Sequence, residues 1–71
     1  MQRVCVMSPD LASVGYDSAR RILEIEFNWG GVYRYYDVAE DVYQGLMNAD
    51  SSGKFYNSHI KRAGFKYEKV G

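Results

Sequence analysis

The sequence lacks several features that small domains commonly use for stability or for catalysis. Cys5 is its only cysteine, so an internal disulfide and a cysteine-rich metal site are both excluded. His59 is its only histidine, and no group of histidines and carboxylates has metal-ligand spacing. Gly30–Gly31 joins two apolar segments and opens no helix, so it is not a phosphate-binding loop. We therefore predict no metal, no cofactor, no catalytic residue and no enzymatic activity. Only a Cys5–His59 nucleophile pair is left open.

The sequence also lacks a long apolar run. No segment approaches the roughly 20 residues that a membrane-spanning helix needs. The start of the chain, MQRVCVM, has no signal-peptide core and is followed at once by Pro9 and Asp10. A lone thiol fits a reducing compartment. We therefore predict a cytoplasmic protein with no membrane partner.

The chain is short, with 71 residues, which is enough for one domain over residues 1–71. A single core of this size rarely contributes more than about 3–5 kcal/mol to stability. Without a disulfide or a metal, the remaining sources of stability are aromatic packing and self-association. Aromatic residues make up 15% of the sequence, so both are consistent with its composition.

Charge is balanced over the whole chain but not along it. The formal net charge is zero, which counts against a general nucleic-acid binder. Residues 37–50 carry only acidic charges, whereas residues 54–69 carry one glutamate among five basic residues: Lys54, Lys61, Arg62, Lys66 and Lys69. Two interpretations stay open: two solvated surfaces that attract each other weakly, or a basic patch for phosphate groups.

Three segments have the pattern of β-strands. In residues 22–28, Leu23, Ile25 and Phe27 alternate with glutamates, which is typical of a strand with one buried face. Residues 11–17 and 32–36 form two further candidates, one on either side. A polar stretch at 17–20 and Gly30–Gly31 supply the turns, so the three segments predict an antiparallel meander.

The period then changes to that of helices. Apolar residues lie four apart in residues 38–49 and again in residues 54–62, which predicts two helices. Asp37 and Glu40 resemble a capping box for the first helix, and Ser51 or Ser52 can cap the second. The small Gly45 permits a close approach to the sheet. The fold class is therefore α+β, with both helices packed on one face and weaker strand signals, RVCV and FKYEKV, at the two termini.

The register of the second hairpin decides which way its side chains point. A three-residue loop at residues 29–31 pairs Phe27 with Tyr33 and Glu26 with Arg34, which joins opposite charges. A register shifted by one residue would bury Arg34 at a cost of several kcal/mol. We therefore predict that Tyr33 and Tyr35 are core residues. Arg34 and Tyr36 then lie on the outer face, and the exposed Trp29 joins them as a contact residue.

Several of these segments together resemble the KTSC domain family. They are VGYD at 14–17, LEIEF at 23–27, GGVYRYYDV at 30–38, LMNADSSGKFYN at 46–57 and Ile60. The resemblance covers roughly residues 8 to 62, and the Tyr-x-Tyr hallmark of the family falls on Tyr33 and Tyr35. Pro9 and Ala39 depart from the pattern, where a serine and a proline are common. The resemblance implies a module that stands alone in bacterial and phage proteins or ends some lysyl-tRNA synthetases. RNA binding is suggested for the family by that attachment.

Two function classes follow from these observations. The first is a non-enzymatic binding module for RNA or a nucleotide, which stacks bases on aromatic rings and pairs phosphates with basic residues. The second is a homo-oligomeric, phage-type protein-interaction or anti-defence protein that engages a host protein or sequesters a signal nucleotide. For either class, the candidate contact residues are Trp29, Arg34, Tyr36, Lys54, Lys61 and Arg62.

Overall fold

A five-stranded antiparallel sheet is the frame of the domain in the computed structural model, which describes residues 1–71. Its strands are neighbours in chain order. They are β1 (Val4–Cys5), β2 (Leu11–Asp17), β3 (Ile22–Phe27), β4 (Val32–Tyr35) and β5 (Tyr67–Lys69). The predicted three-stranded meander is present, and both terminal segments extend it as edge strands.

The core lies between one face of the sheet and the helical segment. We call this side the inner face. Leu23 and Ile25 of β3 are fully buried there because alternate side chains of a strand point the same way. The helical segment contributes Leu46 and Ile60 to the same cluster. Leu11, Val14, Phe27, Tyr35 and Val38 complete the nine-residue core.

The hairpin between β3 and β4 has the predicted faces but not the predicted pairs. Tyr33 lies opposite Ile25, and Arg34 lies opposite Glu24 rather than Glu26. The Phe27 N–H donates to the Gly31 carbonyl (3.1 Å), so the loop has three residues as predicted but begins one residue earlier, at Asn28. This places Gly30, with φ 111°, at the last loop position, where a positive φ is needed. A shift of two residues keeps every side chain on its face, so the alternation of side chains could not detect it.

The first helix, α1 (Glu40–Asn48), begins without the predicted capping box. Ala39 occupies its N-cap position, and no side chain caps it. Asp37 instead adopts a left-handed conformation, with φ 62°, in the turn that leaves β4. Aspartate tolerates this conformation better than most residues, so Asp37 forms the turn and does not cap the helix.

The second helix, α2 (Ser52–Tyr56), is shorter than predicted and continues as a π-helical turn, Asn57–Lys61. Ser51 caps it as expected, since its hydroxyl accepts a bond from the Lys54 N–H (3.3 Å). Gly45 permits a close approach, but to α2 and not to the sheet: a Cβ there would lie 2.6 Å from the Phe55 ring. Neither helix is long or apolar enough to cross a membrane.

Candidate functional site: an aromatic cleft

A cleft of about 390 Å³ opens on the inner face, between the last two strands and the π-helical turn. Eight of its ten lining residues are hydrophobic, and most of these are aromatic. The lining consists of Phe27, Trp29, Tyr33, Tyr35, Tyr56, Ile60, Lys61, Gly64, Phe65 and Tyr67. We call it the aromatic cleft.

One wall of the aromatic cleft is a row of tyrosines from β4 and β5. Tyr33 and Tyr35 are two residues apart, so both point to the inner face. Tyr67 pairs with Tyr35 across the strands and therefore shares that face. Its ring centroid lies 5.6 Å from that of Tyr35 and 6.2 Å from that of Tyr33. The wall therefore presents adjoining rings to whatever enters.

Trp29 stands at the mouth of the aromatic cleft. Its indole stacks on Phe27 with ring centroids 4.4 Å apart and 16° between the planes. The side chain is nevertheless 65% exposed, because only one face of the indole is covered. The opposite face is left to solvent and is available for a second stacked ring.

A pair of tyrosine hydroxyls supplies hydrogen-bonding groups within the largely apolar lining of the aromatic cleft. The hydroxyl oxygens of Tyr35 and Tyr56 lie 2.6 Å apart and share one hydrogen bond. Burial raises the pKa of both hydroxyls, so both are neutral near pH 7. Whichever residue donates, the acceptor keeps a proton of its own that can bond a ligand.

Lys61 is the only charged residue that lines the aromatic cleft. The π-helical turn positions it, since Ile60 is fully buried in the core and Lys61 follows directly at the rim. Single π-helical turns are rare and frequently occur at functional sites. Lys61 can therefore pair with an anionic group of a ligand whose apolar part lies on the rings.

The outer face of the sheet is a closed polar network. Glu24 is only 3% exposed and receives hydrogen bonds from Arg34 (2.7 Å) and from Arg3. Burial alone would raise the pKa of Glu24, but the two arginines outweigh it and hold the pKa below its ordinary value. Tyr36 donates its hydroxyl proton to Glu68, and this bond raises the pKa of Tyr36. The charged groups of this network therefore already have partners within the chain.

The structure divides the six predicted contact residues among several places. Trp29 and Lys61 line the aromatic cleft. Arg34 and Tyr36 belong to the opposite face, away from Trp29 and the cleft. Lys54 of α2 and Arg62, which follows the π-helical turn, are exposed and lie outside the lining.

Sequence reasoning missed most of the aromatic lining. The sequence predicts Tyr33 and Tyr35 as core residues, and the structure buries Tyr35 at 4% exposure and packs the partly buried Tyr33 against the core. The cleft nevertheless reaches both of them. Tyr67 was not singled out, although its place in the alternating segment FKYEKV gave a usable signal. Pairing that segment with β4 would have placed Tyr67 beside Tyr35.

The two candidate catalytic side chains, Cys5 and His59, do not form a hydrogen-bonded pair. His59 stacks on Phe55 with ring centroids 4.2 Å apart. Cys5 is exposed on β1, at the opposite edge of the sheet from β5, and makes no hydrogen bond to His59. No three His, Cys, Asp or Glu side chains are grouped so as to hold a metal ion.

Comparison with known sequences gives a consistent result. The profile of the KTSC domain family matches residues 7–65. An uncharacterized protein from Stutzerimonas stutzeri is 41% identical over 70 residues, which cover 99% of this chain and 99% of that protein. A lysine–tRNA ligase from Trichormus variabilis is 40% identical over 55 residues, which are 78% of this chain but only 10% of the ligase.

Comparison with solved structures agrees. The crystal structure of a KTSC domain protein from Yersinia pestis superposes with a TM-score of 0.94. That protein is 41% identical to this chain, and the match covers 99% of this chain and 97% of the other.

Proposed function

The chain belongs to the KTSC domain family, and from that premise we propose that it is a non-enzymatic binding module for RNA or a nucleotide. In this proposal a nucleobase enters the aromatic cleft and stacks on the free face of Trp29. A phosphate pairs with Lys61 at the rim. The cytoplasmic location and the absence of enzymatic activity remain predictions from the sequence.

One observation carries this proposal. An aromatic ring that is 65% exposed stands at the mouth of an open cleft whose single charged residue is a lysine. Stacking of a base on an aromatic side chain contributes roughly 1–3 kcal/mol and suits every base, because each has a π-face. A cation within reach of the same cleft supplies the phosphate contact that nucleic-acid affinity depends on.

RNA is the first ligand to test because a similar segment occurs in proteins named lysine–tRNA ligase. A segment similar to 78% of this chain lies within proteins named lysine–tRNA ligase. The chain spans about a tenth of those ligases, so the similarity extends to one region of them and not to their activity.

Binding of short single-stranded RNA, measured by fluorescence anisotropy, tests the proposal. We expect Trp29→Ala to raise the Kd roughly 5- to 150-fold, since a stacked base is worth roughly 1–3 kcal/mol. Lys61→Ala should weaken binding and reduce the salt dependence of the Kd by about one phosphate contact. Free nucleotides in the same assay distinguish the two ligand sources.

Arg34→Ala is the matched control, because it also removes a cation but from the outer face. It should leave the Kd unchanged wherever the protein stays folded. Unchanged affinity in both Trp29→Ala and Lys61→Ala would contradict the assignment of the site.

A second function is favoured by the exposed apolar side chains near the aromatic cleft. Trp29 (65%) and Tyr67 (63%) are both exposed, and contacts between protein chains would cover such residues. This supports the alternative of a homo-oligomeric, phage-type protein that engages a host protein or sequesters a signal nucleotide. Sedimentation at micromolar concentration tests self-association, and a monomer there would count against it.

A further inference from the structure

Strand β5 has an open edge with unused backbone groups. The Val70 N–H donates to the Val32 carbonyl (2.7 Å), and the Tyr36 N–H donates to the Lys66 carbonyl (2.8 Å). Residues of an antiparallel edge strand alternate between groups that face the neighbour and groups that face away. The N–H and C=O groups of Tyr67 and Lys69 therefore point away from β4, where no further strand lies. We call these four groups the β5 edge.

The side chains of the same two residues lie on the face that carries the aromatic cleft. Tyr67 pairs with Tyr35 and Lys69 pairs with Tyr33, both inner-face residues. Tyr67 lines the cleft and is 63% exposed. A further strand beside β5 would thus place an apolar side chain against Tyr67 and extend the wall of the cleft without filling it.

The charges around the β5 edge indicate which kind of partner strand could bind there. Lys69 shares the inner face with Tyr67, and Lys61 also lines the cleft that Tyr67 lines. The acidic residue of the segment, Glu68, pairs with Arg34 across the strands and accepts a hydrogen bond from Tyr36 on the outer face. A second copy would bring the same lysines to the contact, and like charges placed opposite each other are unfavourable. An acidic segment is complementary.

We propose that the β5 edge binds an extended, acidic segment of a partner protein by strand addition. The backbone of that segment bonds to Tyr67 and Lys69, and one of its apolar side chains packs on the ring of Tyr67. In this mode the main-chain hydrogen bonds supply affinity, and alternate side chains supply specificity. The proposal goes beyond the proposed function, because it concerns a different partner and a different set of groups.

A labelled synthetic peptide with alternating glutamate and valine is a suitable probe, and a peptide with lysine in place of glutamate is its control. We expect the acidic peptide to bind and the basic one to bind much more weakly. Two variants then isolate the backbone contact. Lys69→Ala removes the charge alone, whereas Lys69→Pro removes the charge and the outward N–H. Proline is tolerated on an edge strand whose N–H faces solvent, so β4 pairing should survive.

The expected difference between the two variants is a Kd several-fold to about tenfold higher for Lys69→Pro than for Lys69→Ala, which corresponds to one hydrogen bond. Methylating alternate backbone nitrogens of the peptide gives the same test on the unchanged protein. One of the two methylation registers should weaken binding and the other should not.

Three outcomes would overturn the proposal: equal Kd values for Lys69→Ala and Lys69→Pro, equal effects of both methylation registers, or equal binding of acidic and basic peptides. Self-association that is lost in Lys69→Pro while the peptide fails to bind would identify a second copy as the occupant instead. RNA affinity should be the same in Lys69→Pro and Lys69→Ala. The RNA-binding proposal can therefore be refuted without affecting the strand-addition proposal, and the strand-addition proposal can be refuted without affecting RNA binding.

Discussion

The two faces of strand β4 differ in how completely their side chains are partnered. On the outer face, Arg34 bonds to the buried Glu24, and the neighbouring Tyr36 bonds to Glu68. On the inner face, Tyr35 is a core residue and Tyr33 packs against the core, yet both line an open cleft. Arginine beside tyrosine is typical of a contact surface, but here these residues hold the sheet together. Tyr33 and Tyr35, which the alternation pattern predicts to be core residues, are the ones that line the accessible cleft.

The difference comes from the elements that cover each face. Arg3, from the start of the chain, reaches Ser13 (2.9 Å) and Glu24 and closes the outer network. On the inner face, Ile60 of the π-helical turn is buried, whereas Tyr67 of the last strand is 63% exposed. The sheet therefore extends past the helical cover, and the uncovered part is aromatic.

The largest effect should come from removing apolar packing on the inner face. Ile25→Ala deletes a fully buried side chain and should lower the free energy of unfolding by about 2–5 kcal/mol. Urea denaturation followed by circular dichroism measures the change. Val32→Ala, on the half-buried outer face of β4, should cost clearly less. Equal losses would mean that the two faces contribute equally to apolar packing.

A smaller effect should come from the outer-face network. Glu24→Gln keeps the shape but loses the charge that two arginines bond, and should cost about 1–3 kcal/mol near neutral pH. The arginines hold the pKa of Glu24 below its unfolded value of 4.5. Its contribution to stability is therefore complete above that value and is lost as pH falls through the folded-state pKa.

Urea unfolding near pH 7 and in acid below 4.5 measures this dependence. Glu24→Gln should flatten the fall in stability between the two conditions. Glu26→Gln is the control, since it changes another carboxyl on the same face that bonds Ser13 (2.9 Å) and leaves Glu24 in place. A fall in stability as steep in Glu24→Gln as in the unmodified protein would contradict the assignment.

The smallest effect should come from the hydroxyl pair in the aromatic cleft. Tyr56→Phe removes one member of the Tyr35–Tyr56 hydrogen bond and should cost about 1 kcal/mol. The double variant with Tyr35→Phe should cost less than the sum of the two single changes, because both remove the same bond. Additive losses in urea denaturation would mean that the bond contributes nothing.

The same pair should respond to alkaline pH. Burial raises the pKa of Tyr35 above its ordinary 10.0. The stability that depends on the neutral hydroxyl is therefore complete below 10.0 and is lost as pH rises towards the folded-state pKa. In Tyr35→Phe this part of the alkaline loss should disappear.

Much of the fold could be predicted because local patterns have local causes. Alternation in residues 22–28 identified a strand and its buried face, and Ser51 identified the start of a helix. Two predictions failed, each for its own physical reason. The β3–β4 register differs by two residues from the predicted one, and side-chain alternation could not detect this because such a shift keeps every side chain on its face. Asp37 is in the turn and not at a helix cap because the backbone leaving β4 needs a left-handed residue there.

The sequence by itself determined which side chains share a face, the antiparallel meander and the order of strands before helices, because these follow from periods of two and of 3.6 residues. Only the tertiary structure decided which of those faces stays open. The aromatic cleft exists because Tyr67, about 32 positions after Tyr35, pairs beside it and stays 63% exposed, whereas Tyr35 is buried. Alternation can indicate that FKYEKV is a strand, but which strand it pairs with depends on packing between distant segments.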